Sequence, residues 1–224
     1  MTPDDLVIQR PAGQAQQLIL LFHGVGSNPQ AMRALGERLC VEFPNAAIIA
    51  AQAPKSAGHA GGFQWFSVVG VTEENRPARV AGAMPGFVAG IELWQGETSV
   101  PASATALVGF SQGAIMSLEA AKRQPPVAGR VVAIGGRFAS LPGNTLADTT
   151  IPFLHGKEDA VIPYGNTVLA AHHLRDLGCD ITAEVLPFIG HEIHPELMDL
   201  AVLKLTSHIP NRVWAKALAA DPLA

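Results

Sequence analysis

The apolar residues of this chain fall into short uninterrupted runs, separated by longer stretches in which apolar positions recur with helical spacing. A short apolar run without polar interruption is typical of a strand that is buried on both faces. Strands are predicted at 18–22, 46–50, 105–110, 130–134, 151–154 and 181–186. Because these strands alternate with helices, we predict an α/β protein with a mainly parallel central sheet and helices on both faces.

Helices are predicted at 28–43, 74–95, 112–123, 164–177 and 195–208, with a short tail helix at 211–220. The first should begin with Asn28 as its cap and Pro29 at its first helical position. Pro85 should bend or break the second. Residues 53–72 are rich in Gly, Ser and aromatic side chains and should form a long loop. No repeat or flexible linker interrupts the pattern, so we expect one domain over residues 1–224.

Composition excludes several classes of protein. No apolar run approaches the ~18 residues that span a membrane, and the acidic N-terminus lacks the pattern of a signal peptide. The net charge of −4, without a basic block, gives nucleic-acid binding no support. Cys40 and Cys179 are far apart and are expected to be free thiols in a reducing compartment. We therefore expect a cytoplasmic protein without membrane insertion, whose low charged fraction leaves room for an apolar patch and a homodimer.

One serine interrupts an apolar run between two glycines. The sequence Gly109-Phe110-Ser111-Gln112-Gly113 joins a predicted strand to a predicted helix. The pattern G-x-S-x-G in that context is a nucleophile elbow, a turn so sharp that side chains at the glycine positions would collide with the adjoining backbone. A helix N-terminus behind the serine favours developing negative charge. Ser111 is therefore the candidate nucleophile.

The partners that such a serine needs are a base and an acid that orients the base. Behind an elbow of this kind they follow in the order Ser, then Asp or Glu, then His. Glu158 and Asp159 both lie just past the 151–154 strand, and the residues alone leave the choice between them open. His191 lies just past the 181–186 strand and is the candidate base, with His194 as its rival. His155 is interpreted as a structural residue at a strand end.

A zinc site and a nucleotide site are the alternatives that these segments raise. The sequence His191-Glu192-Ile193-His194 is close to H-E-x-x-H, but its histidines are three apart rather than four, and no third ligand is evident. We expect no catalytic metal and no organic cofactor. The fragment Gly24-Val25-Gly26 lacks the third glycine of a phosphate-binding loop. It suits an oxyanion hole better, with one backbone N–H from Val25 and the other from Gln112, the residue after the serine.

Five segments in the same order resemble the carboxylesterase/phospholipase branch of the α/β-hydrolases, which includes the acyl-protein thioesterases. They are LFHGVGSN, QWFSVVG, GFSQGA, LHGKEDAVIPY and GHEIHPE, within residues 17 to 208. The resemblance implies Ser111 as nucleophile, His191 as base and Asp159, rather than Glu158, as the acid. It also implies Val25 and Gln112 as oxyanion donors. The chain departs from the thioesterase pattern at Ala114, usually glycine, and at Ser67, usually aspartate.

The function implied is that of a serine carboxylesterase, which hydrolyses small to medium acyl esters through an acyl-enzyme. The family has a Trp-Phe pair at the position of Trp65 and Phe66, and these residues together with Ile162 are the candidates for the acyl-binding site. Alternatively, they pack the loop onto the core. Hydrolysis of thioesters or lysophospholipids is the close alternative activity, because the acyl-enzyme chemistry is the same. A non-catalytic binding module with the same fold is the alternative of another class.

Overall fold

The computed structural model describes residues 4–58 and 61–219. Seven strands form one sheet and two short strands form a separate hairpin. The strands are β1 (Leu6–Gln9), β2 (Gln17–Phe22), β3 (Ala46–Ala51), β4 (Lys55–Ser56), β5 (Phe63–Gln64), β6 (Thr105–Phe110), β7 (Arg130–Ile134), β8 (Ile151–Gly156) and β9 (Ile181–Leu186). The six strands predicted from the sequence are confirmed to within two residues at each end.

The order of strands across the sheet is β1-β3-β2-β6-β7-β8-β9. Every neighbouring pair is parallel except β1 and β3, which are antiparallel. The mainly parallel sheet is thereby confirmed. Strand β1 was not predicted, because it is a half-buried edge strand of four residues. The hairpin β4–β5 was not predicted either, since its ladder of two residue pairs lies inside the segment expected to be a loop.

The helices are α1 (Arg33–Glu42), α2 (Arg76–Thr98), α3 (Gln112–Ala120), α4 (Gly165–Asp176), α5 (Pro195–Ser207) and α6 (Asn211–Ala219). The Asn28 side chain does accept from the Gln30 N–H, but the turn that it caps, Pro29–Met32, is a 3-10 helix that precedes α1. The predicted break at Pro85 is wrong, because α2 runs through Pro85 as one helix. The last residue of the predicted tail helix, Ala220, lies outside the described residues.

Alternate residues of the central strands pack against opposite layers of helices. Leu18 and Leu20 belong to the core that β2 shares with α2 and α3. Ile19 and Leu21 belong to the core that it shares with α1 and α5. Burial on both faces explains why these strands consist of uninterrupted apolar runs. Within the described residues, no helix is both long and apolar enough to cross a membrane.

Candidate active site

The turn at Ser111 has the backbone strain of a nucleophile elbow. Ser111 separates β6 from α3 with φ 52° and ψ −117°, a conformation that is rarely found for a residue with a side chain. A Cβ at Gly109 would lie 2.5 Å from the Gly113 carbonyl oxygen, and a Cβ at Gly113 would collide with the Phe22 carbonyl oxygen. Both positions therefore require glycine, as the sequence predicted.

Ser111, His191 and Asp159 form an unbroken chain of hydrogen bonds. The Ser111 Oγ lies 2.8 Å from His191 Nε2, and His191 Nδ1 lies 2.7 Å from the Asp159 Oδ2. Since a carboxylate can only accept, Nδ1 carries the imidazole proton and Nε2 is free to accept from the serine hydroxyl. The arrangement can therefore move a proton from the serine oxygen to the imidazole.

The Asp159 carboxylate is buried and accepts from several donors. Its Oδ1 accepts from the N–H groups of Val161 at 2.9 Å and Ile162 at 2.8 Å. Burial alone would raise the pKa of Asp159, but the hydrogen bonds from His191, Ile162 and Val161 outweigh it, and the pKa lies below its ordinary value. The rival carboxylate, Glu158, is exposed, whereas Asp159 is buried. The structure thus brings Asp159, not Glu158, to His191.

The rival histidine has a different place. His194 caps α5, where its Nδ1 accepts from the Glu196 N–H at 3.3 Å. This is the helix start that the neighbouring Pro195 predicted. His191 alone of the two touches Ser111.

The two predicted oxyanion donors lie on either side of the elbow. A Cβ built on Gly24 would be 3.2 Å from the Ser111 Cβ, so the backbone that leads to Val25 passes directly beside the serine. Gln112 is the first residue of α3, where backbone N–H groups have no partner inside the helix. Within residues 4–58 and 61–219, neither the Val25 N–H nor the Gln112 N–H has a hydrogen-bond acceptor.

Side chains behind the serine hold both of these backbone segments. The Gln112 Oε1 accepts from the Trp65 N–H and its Nε2 donates to the Phe66 carbonyl, both at 2.8 Å. The Trp65 indole donates to the His23 carbonyl at 2.9 Å. His23 Nδ1 donates to the Gly24 carbonyl at 2.7 Å, while its Nε2 accepts from the Ala53 N–H. In a trans peptide the N–H points opposite to the C=O, so the Val25 N–H points away from His23.

An apolar cavity of about 350 Å³ opens beside Ser111. Its described lining is Gly24, Val25, Ser27, Ala31, Met32, Phe110, Ser111, Val161, His191 and Ile193. Trp65, Phe66 and Ile162, which the sequence analysis placed at the acyl-binding site, are not part of this lining.

The three candidates are instead buried behind the site. The Trp65 ring packs edge-on against Phe22 and Phe87, and the Phe66 carbonyl is bound by Gln112. The Ile162 backbone is bound to Asp159 and His155. The alternative interpretation, that these residues pack their loops onto the core, describes their placement.

Two fully buried histidines near the site make the folded state sensitive to acid. Burial lowers the pKa of His23, with a smaller opposing effect of the Gly24 carbonyl. Burial likewise lowers the pKa of His155, with smaller opposing effects of the Ile162 carbonyl and Asp159. Below about pH 6.5 the unfolded chain therefore binds protons that the folded protein excludes. The free energy of unfolding falls as the pH falls, by up to about 1.4 kcal/mol per pH unit for each histidine.

We expect urea unfolding between pH 7 and pH 5 to show this loss directly. The variant His155→Gln removes one titrating group and should flatten the dependence on pH. The exposed His172 provides the matched control, since His172→Gln should keep the slope of the unchanged protein. A free energy of unfolding that stays constant over this range would contradict the lowered pKa values.

The chain belongs to the phospholipase/carboxylesterase family, whose family model matches residues 3–209. The predicted α/β-hydrolase fold and the prediction of a hydrolase enzyme are thereby confirmed. Among the relatives, the chain is 44% identical over 219 residues to Esterase YpfH of Escherichia coli (strain K12), covering 98% of this chain and 94% of that protein.

Two further relatives differ in how much of the chain they match. Acyl-protein thioesterase 1 of Gibberella zeae is 30% identical over 114 residues, which are 47% of this chain and 48% of that protein. The crystal structure of esterase PE8 superimposes with a TM-score of 0.81 at 28% identity, covering 92% of this chain and 99% of that one.

Proposed function

We propose that the protein is a serine carboxylesterase with Ser111 as nucleophile, His191 as general base and Asp159 as the acid that orients it. The observation that carries the proposal is the hydrogen-bond chain from the Ser111 Oγ through His191 to Asp159, which ends in the wall of an apolar cavity. The strained elbow supports the same assignment, since strain of this kind is retained where a side chain must be presented in one direction.

The reaction proceeds in two acyl-transfer steps. The Ser111 oxygen attacks the ester carbonyl while His191 Nε2 takes its proton, and the C–O bond to the alcohol breaks as His191 returns that proton to the leaving oxygen. Water then attacks the acyl-enzyme, again giving its proton to His191, and the acid leaves with Ser111 restored. The Val25 and Gln112 N–H groups stabilise the oxyanion in both steps.

The substrate class follows from the cavity. None of the described residues that line it is Lys, Arg, Asp or Glu, and His191 is part of the reaction itself. Such a wall favours an uncharged, apolar acyl group. A volume of about 350 Å³ lies at the lower end of the ~300–1,000 Å³ typical of small-molecule sites. We therefore propose esters of small to medium acyl chains, with Val161 and Ile193 in contact with the chain.

Thioester hydrolysis is the second candidate, because the chain resembles an acyl-protein thioesterase over part of its length. Its departures at Ala114 and Ser67 from the thioesterase pattern argue against the specificity of a protein thioesterase. Hydrolysis of lysophospholipids is ranked lower, because no cation lies among the described residues of the wall to meet a phosphate. The intact elbow and hydrogen-bond chain argue against a non-catalytic binding module. The cytoplasmic location, the single domain and the homodimer stay predictions.

The test combines covalent labelling with turnover. A fluorophosphonate probe should label the folded protein on the peptide that contains Ser111, and heat-unfolded protein should not react. Hydrolysis of p-nitrophenyl esters from acetate to palmitate should peak at short or medium chains and exceed hydrolysis of the matched acyl-CoA thioesters. Absence of both labelling and turnover would refute the serine esterase, and a preference for acyl-CoA would establish the thioesterase instead.

A further inference from the structure

A second histidine contacts the same oxygen of the Asp159 carboxylate that binds His191. His155 lies in β8 and is fully buried. Its Nε2 is 3.1 Å from the Asp159 Oδ2 and 2.7 Å from the Ile162 carbonyl oxygen. Its Nδ1 is 2.8 Å from the Thr167 hydroxyl in α4. All polar atoms of this ring are thus engaged by protein groups.

These partners determine where the proton of the ring is. The Ile162 carbonyl can only accept, so Nε2 of His155 carries the hydrogen and shares it between that carbonyl and the Asp159 Oδ2. Nδ1 then has a free lone pair and accepts from the Thr167 hydroxyl. The imidazole is neutral and held in one tautomer and one orientation.

The Asp159 carboxylate is consequently held by donors on both oxygens. Oδ2 accepts from His191 and from His155, whereas Oδ1 accepts from the Val161 and Ile162 N–H groups. His155 therefore ties the carboxylate and the Ile162 carbonyl together, which closes the loop that carries the acid. Without it, Oδ2 would have His191 as its one partner among the described residues, and the carboxylate would be restrained mainly by the two N–H bonds to Oδ1.

An apolar residue at position 155 would have fitted the buried strand at lower cost, because burying an imidazole sacrifices its hydration. The convergence of its N–H on the same oxygen that binds His191 is an observation that packing alone does not account for. Residues behind a ligand or base commonly fix its orientation in this manner, and their loss lowers activity.

We propose that His155 is a positioning residue for the reaction, holding the Asp159 carboxylate so that Oδ2 stays aligned with His191 Nδ1 as the imidazolium forms. The inference rests on the proposed serine mechanism. It adds a fourth side chain to the hydrogen-bond chain of Ser111, His191 and Asp159, one that touches neither the substrate nor the serine.

The experiment compares His155→Leu with His155→Gln. Leucine removes both ring nitrogens, whereas the glutamine amide keeps one donor for Asp159 and one acceptor for Thr167. For a short p-nitrophenyl ester, His155→Leu should lower kcat by about 10- to 100-fold with KM unchanged, and His155→Gln should restore most of it. The far-downfield proton NMR signal of the His191–Asp159 hydrogen bond should be lost in the leucine variant and kept in the glutamine variant. His172→Gln, at an exposed position, should match the unchanged protein.

Thr167→Val gives a second measurement if His155→Leu fails to fold. It removes the donor to Nδ1 while it leaves the ring in place, so kcat should fall by a smaller factor and the downfield signal should shift. A folded His155→Leu or Thr167→Val protein with unchanged kcat and an unchanged downfield signal would overturn the proposal. So would a glutamine variant as impaired as the leucine variant. Failure of the serine mechanism looks different, because the unchanged protein itself would then neither hydrolyse esters nor react with fluorophosphonate.

Discussion

The variant Ser111→Ala is expected to lose ester hydrolysis almost completely, with kcat lower by about 10⁶-fold. In the proposed mechanism the removed oxygen is the atom that attacks, and neither His191 nor Asp159 can replace it at the same place. The remaining activity comes from the oxyanion donors and from substrate binding. In comparable sites these two effects together give a rate enhancement of ~10³–10⁴-fold over the uncatalysed reaction. KM should change little, because the cavity wall, rather than the serine hydroxyl, provides the contacts that bind the substrate.

The measurement is steady-state hydrolysis of the best p-nitrophenyl ester, with fluorophosphonate labelling of the same preparations. Ser207→Ala, at the exposed end of α5, is the matched control and should keep full activity. The alanine variant should fold with a free energy of unfolding at least equal to that of the unchanged protein, since no buried partner other than His191 loses a bond. Hydrolysis by Ser111→Ala at more than a hundredth of the original rate would rule out Ser111 as the nucleophile.

Asp159→Asn is expected to lower kcat by about 10⁴-fold while the fold is preserved. An amide at this position can donate to His191 Nδ1. The His191 ring then carries its proton on Nε2, and Nε2 cannot accept the proton of Ser111. The Val161 and Ile162 N–H groups can still bind the amide oxygen, and the His155 N–H, which loses Oδ2 as an acceptor, keeps the Ile162 carbonyl, so the loop keeps its shape. The loss should therefore appear in kcat rather than in stability.

Glu158→Gln is the matched control for that experiment. Glu158 is exposed and next in the chain, and the sequence alone could not exclude it as the acid. Its amide variant should retain activity within a factor of about two, because a solvated side chain outside the hydrogen-bond chain contributes little. A large loss in Glu158→Gln with little change in Asp159→Asn would reverse the assignment of the acid.

The core of the candidate site could be predicted because each part carries a local signal. The glycines around Ser111 mark the elbow, and His191 follows directly after an apolar strand. The choice of Asp159 over Glu158 needed the family resemblance, since adjacent carboxylates in a loop differ only in how they point. Burial and the hydrogen bond to His191 distinguish them in the structure.

The cavity wall was not predictable in the same way. Trp65 and Phe66 are candidates for the acyl site because the family that the chain resembles has a Trp-Phe pair at their position. In the fold, the Gln112 side chain binds the backbone of these two residues. This contact joins residues more than forty positions apart, and no local sequence pattern predicts it. His155 was interpreted as structural for the same reason, since its partners in the loop and in α4 come together only through packing. The predicted strand ends at residue 154, whereas β8 continues through His155 to Gly156, so no sequence signal indicated that this histidine is buried within a strand.

The contacts of Gln112 and His23 have a kinetic consequence. With Val25 and Gln112 as oxyanion donors, the backbone segments that carry both N–H groups are held by neighbouring hydrogen bonds before any ester arrives. The binding free energy of the acyl chain is not needed to assemble the site. A longer chain therefore binds more tightly without a faster chemical step. Esters with different acyl chains should then differ in KM rather than in kcat. Even the shortest esters bind to a site that is already preorganised.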